Sequence, residues 1–196
     1  MRGPRPHATW PLPPGFGLIE ALVALGIVVA FAAGVLPLFV GTRGALAEAH
    51  AATMSVVLAR SKLEQLRTLA WSYRTEPGGA LRSVTDGSTS LASDPPSLSG
   101  PGLRPSPADS LWTSAPGYVD AADDRGVWVA GFGSPPATAR YLRRWAVSTL
   151  PGDPDTMVLQ VRVVPLGGPG SPEAEGQPGR LRGEVVLTTL ETRSRP

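Results

Sequence analysis

The chain has 196 residues with 18 basic and 16 acidic side chains, so it is nearly neutral and offers no basic stripe for nucleic acid. It contains no cysteine, which excludes disulfide bonds, thiolate metal sites and a cysteine nucleophile. The two histidines, His7 and His50, have no partner at a metal-ligand spacing, and no nucleotide-binding or hydrolase motif occurs. We therefore expect a protein that is not an enzyme and that carries no cofactor and no metal.

The N-terminal part contains an apolar run that is long enough to cross a membrane. Residues 21–40 are 20 consecutive uncharged residues. As a helix they would extend about 30 Å, which is the thickness of a bilayer's hydrocarbon core. Arg2 and Arg5 precede the run, whereas Arg43 alone follows it closely. By the positive-inside rule, the N-terminus stays in the cytoplasm and the chain after the run is exported.

Three interpretations of this segment compete. An ordinary secretory signal would be cut at Ala30-Phe31-Ala32, but the run continues through Val40 and Glu20 stands at its start. A plain signal anchor leaves Glu20 unexplained, because an acid near the middle of a membrane segment costs about 2.5 to 3.5 kcal/mol. Near one end of the run, Glu20 could instead reach the headgroup layer or favour a helix N-terminus.

The third interpretation rests on the stretch "GFGLIEALVAL", which is followed by Pro37. It resembles the N-terminus of the type IV pilin family, which includes pilus subunits and the pseudopilins of type II secretion. Members have a short leader that ends in Gly, then Phe, then Glu as the fifth mature residue, then an apolar helix. The resemblance implies a leader peptide at 1–15, cleavage after Gly15 by prepilin peptidase and N-methylation of Phe16. Glu20 then falls fifth, and Pro37 stands where many members carry a helix-bending proline.

The same resemblance implies a role for Glu20 in assembly. Cleavage after Gly15 would create a new amine at Phe16, and a carboxylate in lipid is tolerable mainly when it is paired. In the family, the glutamate of an incoming subunit meets the N-terminal amine of a neighbour, so correct stacking neutralises both charges. The implied partners are other pilin or pseudopilin subunits, prepilin peptidase, an inner-membrane assembly platform and membrane lipid.

The residues after the transmembrane helix segment, 16–40, divide into a helix and a loop. Segment 41–74 is predicted to be an amphipathic helix that continues the membrane helix, with Lys62 off its apolar stripe. The predicted stripe comprises Leu46, Ala49, Thr53, Val56, Ala59, Leu63, Leu66 and Ala70. In segment 75–120, Gly, Pro and Ser make up 22 of 46 residues, which predicts a long exposed loop that is partly disordered.

Segment 121–196 is predicted to be a β-sheet domain. "RRWAVSTL", "MVLQVRVV" and "LRGEVVLTTLE" alternate apolar and polar residues, and "GVWVAGF" is a weaker fourth strand. One face of this antiparallel meander would bury Trp145, Val147, Leu159 and Val161 against the amphipathic helix. We therefore predict an α+β fold of the pilin type. In that fold a long N-terminal helix, half membrane-spanning and half amphipathic, packs on a C-terminal antiparallel sheet of about four strands.

Three acidic residues, Asp120, Asp123 and Asp124, form the one cluster that suggests a ligand. Some pseudopilins bind calcium through loop carboxylates, but this spacing fits no EF-hand loop. A solvated acidic turn is therefore the default prediction, with calcium as the alternative.

The sequence thus favours a structural subunit, a minor pilin or pseudopilin, of a type IV pilus-like filament. The chain would be single-pass in the inner membrane, with its N-terminus cytoplasmic and its C-terminal domain exported, and would then enter the pilus or pseudopilus. The alternative is an extracytoplasmic binding or enzymatic domain that uses the segment only as an anchor. The polar constellation that would mark such a domain is not visible in the C-terminal half.

Overall fold

The computed structural model describes residues 17–167 and 183–193, and the chain divides into two compact units, Met1–Ala45 and Leu46–Pro196. The described residues form one long helix followed by seven strands. These elements are α1 (Leu18–Arg67), β1 (Trp71–Thr75), β2 (Leu81–Thr85), β3 (Val119–Ala122), β4 (Trp128–Ala130), β5 (Tyr141–Leu150), β6 (Asp153–Pro165) and β7 (Val185–Thr192).

The described part of the first unit is helical from Leu18 onward. The backbone N–H groups of Glu20 and Ala21 both donate to the carbonyl of Gly17, at 3.0 and 3.2 Å, which closes the first turn. The helix continues through Pro37 and into the second unit, as the sequence predicts for a membrane helix that becomes an amphipathic one. The predicted leader, 1–15, lies outside the described residues.

The second unit is built on a five-stranded sheet in the order β4-β3-β5-β6-β7, with every neighbouring pair antiparallel. The register aligns Trp145 with Val161 and Val161 with Leu187, so the predicted apolar faces of three strands coincide. "GVWVAGF" contributes β4, whereas the sequence did not predict β1, β2 or β3. The predicted helical segment 41–74 is too long, because α1 ends at Arg67 and β1 begins at Trp71. The predicted α+β class and antiparallel sheet are confirmed, with five strands in place of about four.

The core lies between this sheet and the last turns of α1. Trp145, Val147, Leu159 and Val161 are buried, as their alternation predicts, because each sits on the face of the sheet that meets the helix. From the helix, the buried apolar residues of this cluster are Leu58, Ala59, Leu63 and Leu66. The result is an α+β domain of two layers with one principal core.

Two predictions for the helix are wrong. Leu46 and Val56 belong to the predicted buried stripe, but they are 73% and 44% exposed. Lys62, which was placed off the stripe, is 2% exposed and lies on the buried face beside Ser55. The buried face is therefore rotated relative to the predicted stripe, and it begins further along the helix.

The stretch between β2 and β3 is not the exposed loop that its composition predicts. It has no helix and no strand, but Leu91 and Leu103 are buried in the main core. The Tyr118 hydroxyl donates to the carbonyl of Arg104 at 3.0 Å. A Cβ at Gly100 would come within 2.3 Å of the Ser90 backbone, so glycine here permits the chain to pack closely on itself. β1 and β2 add a separate hairpin before this stretch.

Candidate functional site

The apolar part of α1 exposes its side chains all round. In the described residues from Leu18 to Phe39, the large apolar side chains are between 42% and 81% exposed. These side chains belong to Leu18, Ile19, Leu22, Val23, Leu25, Ile27, Val28, Val29, Phe31, Val35, Leu36, Leu38 and Phe39. The most apolar window has a mean hydropathy of 2.6 and is unburied, so this helix is long and apolar enough to span a membrane. Soluble monomers rarely expose a continuous apolar surface of this size, which indicates burial in lipid or against partner helices.

Glu20 lies in the first turn of α1, where the helix dipole favours a negative charge. Its side chain is exposed, and among the described residues no cation forms an ion pair with it. Gly15 and Phe16, the predicted processing residues, lie outside the described part of the chain. The structure therefore places the carboxylate at the start of the apolar surface and leaves the predicted cleavage site untested.

Pro37, the predicted bend, is inside the helix. Proline has no backbone N–H, so the carbonyl one turn earlier, at Ala33, lacks its usual helical donor. Beyond it, the Arg43 guanidinium lies 4.6 Å from the centre of the Phe39 ring, and the Thr42 hydroxyl donates to the Phe39 carbonyl at 3.0 Å. The first cation after the apolar run thus folds back on the last aromatic ring of the run and forms a cation–π contact with it.

The sequence predicts Asp120 in a solvated acidic turn, but the structure places it in β3, where it is fully buried. It accepts two hydrogen bonds from Arg143, at 2.6 and 2.8 Å, and one from the Lys62 ammonium at 2.8 Å. Lys62 also donates to the carbonyl of Leu91 at 2.8 Å and lies 4.7 Å from the Trp145 ring centre. Burial lowers the pKa of Lys62 to about 8, although the Asp120 charge acts to raise it.

The other two acidic residues behave as the solvated-turn prediction has it. Asp123 accepts the backbone N–H groups of Arg125 and Val127, each at 2.9 Å, and Asp124 is exposed. Within residues 17–167 and 183–193, no three acidic or histidine side chains are grouped so that they could hold a metal ion. Asp120 is buried and already bonded to two cations, so it does not point with Asp123 and Asp124 toward a common ligand.

A second buried ion pair crosses from β6 to the residue before β7. Arg162 donates from Nε and Nη2 to Glu184, at 2.8 and 3.2 Å, and its Nη1 donates to the carbonyl of Leu111 at 3.1 Å. Its guanidinium also lies 4.2 Å from the ring centre of Trp112. Both buried ion pairs contain an arginine. Its planar guanidinium can form two hydrogen bonds with one carboxylate and can stack on an aromatic ring. The alternation of β6 predicts Arg162 on the polar face of the strand, and no local sequence signal marks its distant partner Glu184.

No model of a protein family, no curated protein and no solved structure matches this chain significantly.

Proposed function

We propose that this chain is a structural subunit, a minor pilin or pseudopilin, of a type IV pilus-like filament. It is made with a leader, cleaved after Gly15 by prepilin peptidase and N-methylated at Phe16. The inner membrane holds it by α1 until an assembly platform inserts it among other pilin or pseudopilin subunits. It has no catalytic role and no cofactor.

One observation carries the proposal: an apolar helical surface is exposed on every side and begins with a single carboxylate, Glu20. Such a surface must be covered, and a membrane covers it as well as a bundle of neighbouring helices does. The motif around Gly15 and Phe16 supports burial among neighbouring helices as well as in lipid. Mature filaments of the family that the motif resembles bury this helix among copies of itself. The α+β layout of the second unit is compatible with the same family.

The chemistry of assembly follows from the cost of an unpaired charge in an apolar layer. In the membrane, Glu20 lies near one end of the run, where it can reach the headgroups. In the filament core Glu20 cannot reach the headgroups, so its charge requires a cation. The Phe16 amine of a neighbour supplies that cation. A pair of this kind contributes mainly register, because misaligned helices leave both charges unpaired.

The test replaces Glu20 by Leu or by Gln and measures the fraction of processed protein in sheared filaments against the fraction left in the membrane. Glu20→Leu should insert and be processed normally but fall in filament recovery, and Glu20→Gln should fall between it and the wild type. Glu64→Gln is the matched control, because it removes an exposed carboxylate from the same helix outside the apolar run. Wild-type recovery of Glu20→Leu would instead favour a membrane-anchored binding or enzymatic domain that uses the helix only as an anchor.

A further inference from the structure

The β1–β2 hairpin is a small sheet of its own, because among the described strands its two strands pair with each other alone. Its outer half is open to solvent, and every residue in 77–83 is exposed. Arg74 and Arg82 lie directly opposite each other across the hairpin, and like charges in this position destabilise a strand pair. Glu76 forms an exposed ion pair with Arg82 at 3.4 Å, which offsets little of this repulsion. Since a two-stranded hairpin alone is marginally stable in water, this one depends on contacts with the rest of the second unit.

Several of these contacts come from Arg193, which directly follows β7. Its guanidinium lies 3.5 Å from the ring centre of Trp71 and 5.1 Å from that of Tyr73. Its Nη1 donates to the carbonyls of Ser72 and Val84, each at 3.4 Å, and these two residues face each other across the two strands. One side chain at the end of the large sheet therefore contacts both strands of the hairpin.

Asp155, in β6, bonds both Arg193 and the hairpin. Its carbonyl accepts the backbone N–H of Arg193 at 2.8 Å and the indole N–H of Trp71 at 3.3 Å. Its carboxylate accepts the Tyr73 hydroxyl at 2.5 Å and lies 3.5 Å from the Nε of Arg193. The Arg193 side chain is 8% exposed, so its contact with the aromatic rings is largely withdrawn from water, where a cation–π contact is strongest.

We propose that the β1–β2 hairpin is a flap that Arg193 holds closed against the five-stranded sheet. Trp71 belongs to the main core and stays in place, and the rest of the hairpin, residues 72–85, opens as a unit. Opening breaks a small set of bonds at one end of the hairpin, whereas β5, β6 and β7 keep their own ladders of hydrogen bonds. The open state releases the Nη1 of Arg193 and the hydroxyl of Tyr73, so the flap controls access to a cationic group that the closed state buries.

The test is hydrogen exchange of the full-length chain in detergent micelles, followed by mass spectrometry in peptides from the hairpin, β5 and β6. In the wild type the hairpin should exchange faster than β5 and β6, because it opens without them. Arg193→Ala should raise hairpin exchange by about tenfold or more, the order expected for losing a charged hydrogen-bond donor, and leave β5 and β6 unchanged. Arg193→Lys should give an intermediate rise, since an ammonium keeps the charge but lacks the planar group that stacks on Trp71.

Arg67→Ala is the matched control, because Arg67 bonds Glu191 of the same strand, β7, and this variant should leave hairpin exchange at the wild-type rate. Tyr73→Phe tests the flap from the hairpin side, independently of how well the Arg193 variants fold. It removes the hydroxyl that Asp155 accepts, so it should also raise exchange in the hairpin without raising it in β5 and β6. Unchanged hairpin exchange in Arg193→Ala, or a rise that spreads equally over the hairpin, β5 and β6, would overturn the proposal.

Discussion

Replacing Asp120 by Asn would break the buried ion pairs of the second unit at their centre. The carboxylate has no exposed surface and bonds two cations, Arg143 and Lys62, through contacts of 2.6 to 2.8 Å. Asparagine has nearly the same size, so the substitution removes charge with little change in packing. It also replaces one acceptor oxygen by an amide NH2 group, whose donors would face the donors of Lys62 or Arg143.

The expected loss follows from what remains after the substitution. Lys62 and Arg143 would stay buried with no counter-charge between them, and breaking a buried ion pair by removing one partner costs about 3 to 5 kcal/mol. For a domain of this size each kcal/mol lowers the unfolding midpoint by about 2 to 4 °C, so the midpoint should fall by roughly 6 to 20 °C. Part of the loss should return as pH rises toward 8, because without the Asp120 charge the pKa of Lys62 falls below about 8 and Lys62 can lose its proton.

Thermal unfolding of the wild type and the variant, followed by circular dichroism, measures this loss. Asp124→Asn is the matched control, because Asp124 lies in the same turn and is exposed. It should change the midpoint by no more than a few degrees, since exposed charges contribute little. Equal midpoints for the two variants would refute the conclusion that Asp120 holds the helix, β3 and β5 together.

Three further predictions concern the second unit. Residues 46–196 expressed alone should be soluble and give a mixed helix and strand spectrum, because the main core lies within that unit; an unfolded spectrum would contradict this. Deleting residues 83–110 from that fragment should abolish cooperative unfolding, because Leu91 and Leu103 are core residues, whereas a retained sharp transition would show the segment to be dispensable. Since burial lowers the pKa of Lys62 from 10.5 to about 8, the unfolded chain holds this proton to higher pH than the folded chain, so the wild type should gain stability relative to Lys62→Met as pH rises through that range. A stability difference between the two that stays constant with pH would contradict the last prediction.

The alternation along β5 and β6 was sufficient to predict their inward faces, because a strand's side chains alternate whatever lies beyond it. Trp145 and Leu159 are buried for this reason. The burial of the stretch between β2 and β3 is not predictable from periodicity, because it comes from single residues such as Leu91, which have no repeating pattern. On the helix, Leu46 and Val56 are apolar and correctly spaced, but in the described chain they are left largely exposed. The periodicity therefore predicts the helix α1 and only part of its buried face.

The buried charges were beyond prediction for a different reason. Lys62 and Asp120 are far apart in sequence, and each looks solvated in its local context, on a polar helix face and in an acidic turn. Only the tertiary fold brings them to 2.8 Å and makes their burial tolerable. Glu20 is the opposite case, because its apolar surroundings are local, so the sequence alone shows a carboxylate at the start of an apolar run.

The mature N-terminus tests the central claim most directly. The chain should be expressed with a prepilin peptidase, and the terminal peptide identified by mass spectrometry beside a Gly15→Val variant, whose β-branched side chain should block a site that accepts glycine. The proposal predicts a chain that begins at N-methylated Phe16 in the wild type and an uncleaved leader in Gly15→Val. A wild-type chain that keeps its leader, or one that begins at Ala33 after a secretory cut, would contradict it.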